Sequence, residues 1–149
     1  MFISEKIKTS TLRTVYIYIG VTIFIGIFGA VYEVFSHNVF SPAMYLAWII
    51  PCTLGVFVYL LLAFIPMEKV PGLVTACVYN FGVGMLTIRS IFIGVIEIYG
   101  TTNTAMLTAY TVLSIVFLAV GGSAYLAIIG YEIYKLIKRN KEKQTRQGV

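Results

Sequence analysis

Polar residues along this chain gather into short clusters, and between them apolar residues run almost unbroken over 12–34, 43–65, 72–96 and 106–134. A hydrocarbon core ~30 Å thick is crossed by a helix of ~20 apolar residues, and each run meets that length. The pattern predicts an all-α, polytopic membrane protein. Its four spans form one transmembrane four-helix bundle, a single domain over residues 1–149 that ends in a basic cytoplasmic tail at 135–149. Pro51 falls inside the second span, where its missing N–H predicts a kink.

The spans also echo one another. In "IFGAVYEVFSHN", the residues Ile27, Phe28, Ala30, Val31, Glu33, Val34, Phe35 and Ser36 each stand 64 positions before a similar residue of "IFIGVIEIYGTTN". Spans one and two therefore read as a helical hairpin repeated in spans three and four. With two spans per unit, the pseudo-twofold axis runs along the membrane normal. Small residues at four-residue spacing, Gly26 with Ala30 and Ala119 with Ser123 and Ala127, are expected to pack helices together inside this bundle.

Composition strengthens the membrane reading. The chain is 59% hydrophobic and 11% charged, with a mean hydropathy of +0.91, outside the range of soluble domains. A net charge of +5 would suit nucleic acid, but the positions of the charges point to topology instead. Lys6, Lys8 and Arg13 precede span one, Lys69 lies in the link "PMEKVPG", and six basic residues follow span four, while "SHNVFSP" and "YGTTNT" carry no Lys or Arg. The positive-inside rule then places both termini and the middle link in the cytoplasm. The first span is read as retained, because its apolar run is too long for a signal peptide and no small-x-small cleavage site follows. Trp48, Tyr32, Tyr45 and Tyr99 near the outer boundary, with Tyr131 and Tyr134 near the inner one, match an aromatic belt. Cys52 and Cys77 differ in depth by roughly 9 Å. That argues against a disulfide, which needs Cα atoms within ~7 Å.

Charges inside spans are costly, and those that persist mark candidate sites. Glu33 and Glu97 close the outward ends of spans one and three, His37 lies one helical turn after Glu33, and Arg89 sits two turns deeper than Glu97. An eight-residue separation leaves Arg89 and Glu97 ~80° apart around the helix axis, so Arg89 can snorkel toward that carboxylate. These four residues define a candidate polar outer site, in which one guanidinium faces two carboxylates. Glu33 and His37 have the i, i+4 spacing of a metal pair, but there is no second histidine, so no metal or cofactor is expected. Glu132 and Lys135 read as a solvated i, i+3 pair.

The segments "VYEVFSHNVFSPAMYLAWIIPCTLG" and "IRSIFIGVIEIYGTTN" resemble a family of small four-span membrane proteins of Gram-positive bacteria, in which a Tyr-Glu-x-Phe-Ser-His-x-Val segment recurs. The resemblance covers most of the chain outside its tails. It implies a bacterial plasma membrane and the four-span plan, and brings no chemistry with it. The chain looks unlike the small multidrug transporters, whose essential Glu lies in mid-span, and unlike the glycine-rich small fluoride channels.

Three functions fit such a chain. The first is a noncatalytic accessory or regulatory subunit that binds another membrane protein or a second copy of itself within the lipid bilayer. The second is an oligomeric transporter or channel that couples protons or cations through Glu33 or Glu97. The third is an enzyme using His37 and the glutamates on a lipid or quinone, which is not expected because no complete active site is legible and no nucleophile, base and acid stand together on the cytoplasmic side. Nucleic acid is not expected as a partner.

Overall fold

The computed structural model describes residues 2–36, 39–64, 72–101 and 104–147, with side chains at 9–36, 39–64, 72–101, 104–139 and 141. All regular structure among them is helical: α1 (Phe2–Phe35), α2 (Pro42–Tyr45), a π-helical segment (Pro51–Phe57), α3 (Val58–Phe64), α4 (Leu73–Tyr99) and α5 (Thr104–Gln147). Three stretches, Thr9–Phe35, Leu73–Tyr99 and Thr104–Arg139, are long and apolar enough to cross a membrane.

Five α-helices replace the four continuous spans expected from the sequence. The difference lies in the second span, and its causes are local. Ser41 adopts an extended backbone and caps α2, its hydroxyl accepting the N–H of Met44, while Pro42 occupies the first helical position. The chain then turns over 46–48, resumes as helix at 49 and takes the wider π spacing from Pro51. The expected kink at Pro51 is thus the start of a π-helix, an irregularity that often marks functional sites. The 14 residues Pro51–Phe64 form the shorter apolar arm of the first hairpin, whereas α5 is unbroken over 44 residues. The two halves therefore differ in their second arms, and the sequence echo does not extend to a repeated shape.

Glycines set the helix contacts. A Cβ at Gly82 would lie 2.8 Å from the backbone N of Leu118, and one at Gly121 would lie 2.7 Å from the Tyr79 backbone, so α4 and α5 meet almost backbone to backbone. In lipid, where apolar burial supplies no drive, such close approach is what brings helices together. Gly94 does the same for α2, since a Cβ there would lie 2.3 Å from Met44 Cβ. Met44, 1% exposed, also rests on α1, with its carbonyl 3.1 Å from where a Cβ of Gly29 would stand.

The small-residue stripe of α5 faces the other way. Ala119, Ser123 and Ala127 are all exposed, and the buried face of the helix runs through Ser114, Gly121, Tyr125 and Glu132. Packing inside the bundle is done by the glycines instead. Cys52 and Cys77 are both unpaired.

Candidate functional site

At the C-terminal end of α4, Gly100 in the left-handed region (φ 65°) stops the helix, and the Thr101 N–H returns to the Ile96 carbonyl. This places Glu97 in the last turn, where the helix dipole disfavours an anion. Glu33 occupies the corresponding place in α1, two residues before its end at Phe35. Neither carboxylate serves its own helix there.

Each therefore depends on another element. Glu97 Oε2 accepts the hydroxyl of Ser41, a residue with no exposed surface, at 2.5 Å. Two turns closer to the middle of α4, the Ser90 hydroxyl donates to the Ala43 carbonyl at 2.7 Å. These two bonds, with Met44 seated on Gly94, fasten α2 to α4. Glu33 is half-buried, and its Oε1 is shielded from solvent with no hydrogen-bond partner among the described residues. Tyr32 of α1 and Tyr99 of α4 line one pocket together with Phe35, Ser36, Val39 and Ile98.

Arg89 does not reach this group. Its Nε donates to Thr111 Oγ1 at 2.5 Å, fastening α4 to α5, and no ion pair joins it to Glu33 or Glu97 among the described residues. Arg89 and Glu97 share a helix but address different neighbours. His37 lies outside the described residues. Among the described residues, no cluster of three or more His, Cys, Asp or Glu could hold a metal ion.

Glu132 is 2% exposed, so its reading as a solvated partner of Lys135 gives way to burial on the inner face of α5. Its Oε2 has no hydrogen-bond partner among the described residues.

Among the described residues, the largest polar assembly lies in the buried core, and its residues are not among those singled out from the sequence. Tyr18 of α1, Tyr59 of α3, Tyr79 and Asn80 of α4 and Tyr125 of α5 meet at the centre of the core. Asn80 Oδ1 accepts the hydroxyls of Tyr18 at 2.8 Å and Tyr59 at 2.7 Å. Tyr59 has spent its one proton there, so Tyr125, 3.1 Å away, must be the donor to Tyr59. The three hydroxyl protons thus all run toward Asn80. The rings of Tyr59, Tyr79 and Tyr125 lie 5.3–6.2 Å apart, within the range of favourable aromatic pairs. Tyr79 donates to the Leu54 carbonyl at 2.8 Å, and the Tyr18 ring covers Gly55, where a Cβ would lie 2.0 Å from a ring carbon. Only glycine permits that contact. The signal for this cluster was present in the sequence, because a tyrosine well inside an apolar span needs a partner for its hydroxyl.

α1 packs against α2, the π-helical segment and α3, while α4 packs against α2, the π-helical segment and α5. Between α1 and α4 this leaves a cleft of 470 Å³, with Pro51 in its lining and Tyr18 and Asn80 as its polar groups alongside Thr14 and Thr87.

No protein-family model, curated protein or solved structure matches the chain.

Proposed function

We propose that this chain is a noncatalytic accessory or regulatory subunit of a larger membrane complex. It has four spans, with the interrupted segment from Pro42 to Phe64 as the second, and both termini lie on the cytoplasmic side of a bacterial plasma membrane. The observation that supports this function is the outward face of α5, where Ala119, Ser123 and Ala127 give a partner helix a surface for close approach that the chain's own helices leave unused. The polar groups in the spans fit the same role, since Ser41, Ser90, Arg89 and the tyrosines are bonded between this chain's own helices.

The test is affinity purification from the native membrane in mild detergent. A larger membrane protein should come with the chain in fixed stoichiometry and be lost with Ser123→Leu, while the melting temperature of the purified variant stays at the wild-type value. Recovery of the chain alone, or a partner unaffected by Ser123→Leu, rejects the assignment.

Glu33 favours a second reading, a proton- or cation-coupled transporter or channel. A shielded carboxylate oxygen without a donor is costly unless a cation or a partner's donor meets it. Liposome flux that Glu33→Gln abolishes and Glu97→Gln leaves intact would support this reading over the first.

A further inference from the structure

Every hydrogen bond to Asn80 uses its carbonyl oxygen, which leaves two N–H donors on the amide nitrogen with no partner among the described residues. Asn80 lines the cleft between α1 and α4, so those donors have room for a ligand. Ile25, Val83 and Ile91 contribute apolar walls. Ile17, Val21 and Ile88 also line the cleft and are 58%, 39% and 42% exposed, so it opens sideways toward the surrounding medium. Among the described residues, no charged side chain lines it. Its volume falls within the range of small-molecule sites, and far below that of a helix.

The donors also lie at a telling depth. α4 has 27 residues and is ~40 Å long against ~30 Å of hydrocarbon, so each end projects ~5 Å beyond it. Asn80, seven residues after Leu73, is then ~5 Å beneath the boundary, within reach of the ester carbonyls of the lipids in that leaflet. From Asn80 to Ile91 the cleft follows α4 for ~16 Å, the scale of one extended acyl chain.

We propose that this cleft is a binding site for one acyl chain of a membrane glycerolipid, with the ester carbonyl accepting from the Asn80 amide and the chain lying between α1 and α4. The charged headgroup stays outside, where no cleft residue is needed to hold it. Tyr18 and Tyr59 hold the amide so that its nitrogen faces the lipid. This site does not depend on whether the chain has a protein partner.

The test reconstitutes the full chain in vesicles containing equal amounts of diester phosphatidylcholine and its diether analogue, which lacks the carbonyl. After extraction, native mass spectrometry counts the lipids retained per chain. One retained lipid is expected, with about a tenfold preference for the diester, the size of effect that one hydrogen bond provides. Gly84 lines the cleft and a Cβ there meets nothing within 4 Å, so Gly84→Phe should fill the site and abolish retention without lowering the melting temperature. Val21→Trp should do the same from the α1 side and serves if Gly84→Phe fails to fold. Equal retention of diester and diether, or wild-type retention in the filled variants, overturns the proposal. Displacement of the lipid by an equal amount of an isoprenoid quinone would overturn it as well.

Discussion

Ser41 and Glu97, 56 residues apart, share a hydrogen bond in which a fully buried hydroxyl donates to an exposed carboxylate. The same serine oxygen accepts the Met44 N–H and so caps α2. One side chain thus starts a four-residue helix and attaches it to α4. Ser41→Ala should cost ~1–2 kcal/mol, combining a lost cap with a lost charge-assisted bond. Glu97→Ala should cost less, because the carboxylate is exposed and Ser41 keeps its cap. Denaturant unfolding in mixed micelles should show the double variant losing less than the sum, and full additivity would mean that the bond contributes nothing.

Arg89 and Glu97 should behave as independent sites. Arg89 is bonded to Thr111, so Arg89→Ala and Thr111→Val should destabilise by similar amounts and combine sub-additively. Glu97→Gln should not rescue Arg89→Ala. Rescue would show that the guanidinium and the carboxylate meet after all.

Two adjacent glycines provide a matched pair. Gly121→Ala drives a methyl into the Tyr79 backbone and should cost ~1–3 kcal/mol, since backbone cannot give way as a side chain does. Gly122→Ala meets nothing within 4 Å and should stabilise by up to ~1 kcal/mol through helix propensity. Thermal melts of both variants in one detergent would decide this. Equal effects would contradict the tight contact between α4 and α5.

Within the tyrosine cluster, Tyr59→Phe removes a hydroxyl that both donates and accepts, whereas Tyr18→Phe removes a single donor. Measured against the ~0.6 kcal/mol average for bonds between membrane helices, Tyr18→Phe should cost about that much and Tyr59→Phe about twice as much. The reverse order, read by unfolding under identical conditions, would refute the two bonds assigned to the Tyr59 hydroxyl.

The proposed orientation can be tested in a chain carrying Cys52→Ala and Cys77→Ala. A membrane-impermeant thiol reagent added to intact cells should label Thr101→Cys and spare Gly72→Cys. The opposite pattern would invert the topology.

The helical class and the three long apolar helices were legible in the sequence, because a membrane helix needs only length and apolarity, and both are local properties. Of the aromatic residues that position alone assigns to a belt, Trp48, Tyr45, Tyr99, Tyr131 and Tyr134 are exposed and Tyr32 is half-buried. The break in the second span was half legible. Pro51 signalled an irregularity, but a Pro-led π-helix and a separate α2 depend on Ser41 finding Glu97 and on Met44 finding Gly94, and both partners lie in another helix.

Facing was the property that the sequence could not determine. When nearly every residue of a helix is apolar, periodicity no longer separates the inside from the lipid side. The stripe Ala119, Ser123 and Ala127 therefore looked like a packing face and lies outside, and Glu132 looked solvated and lies within. The sequence by itself determined which residues are polar and where the three long apolar helices run. Only the tertiary structure decided which groups meet: Arg89 with Thr111, Glu97 with Ser41, and three tyrosine hydroxyls in a chain of bonds that ends at Asn80. The physical reason is that length follows from counting along one helix, whereas a hydrogen bond between helices requires the rotation and spacing of both, and the close contacts at Gly82, Gly94 and Gly121 help to fix these.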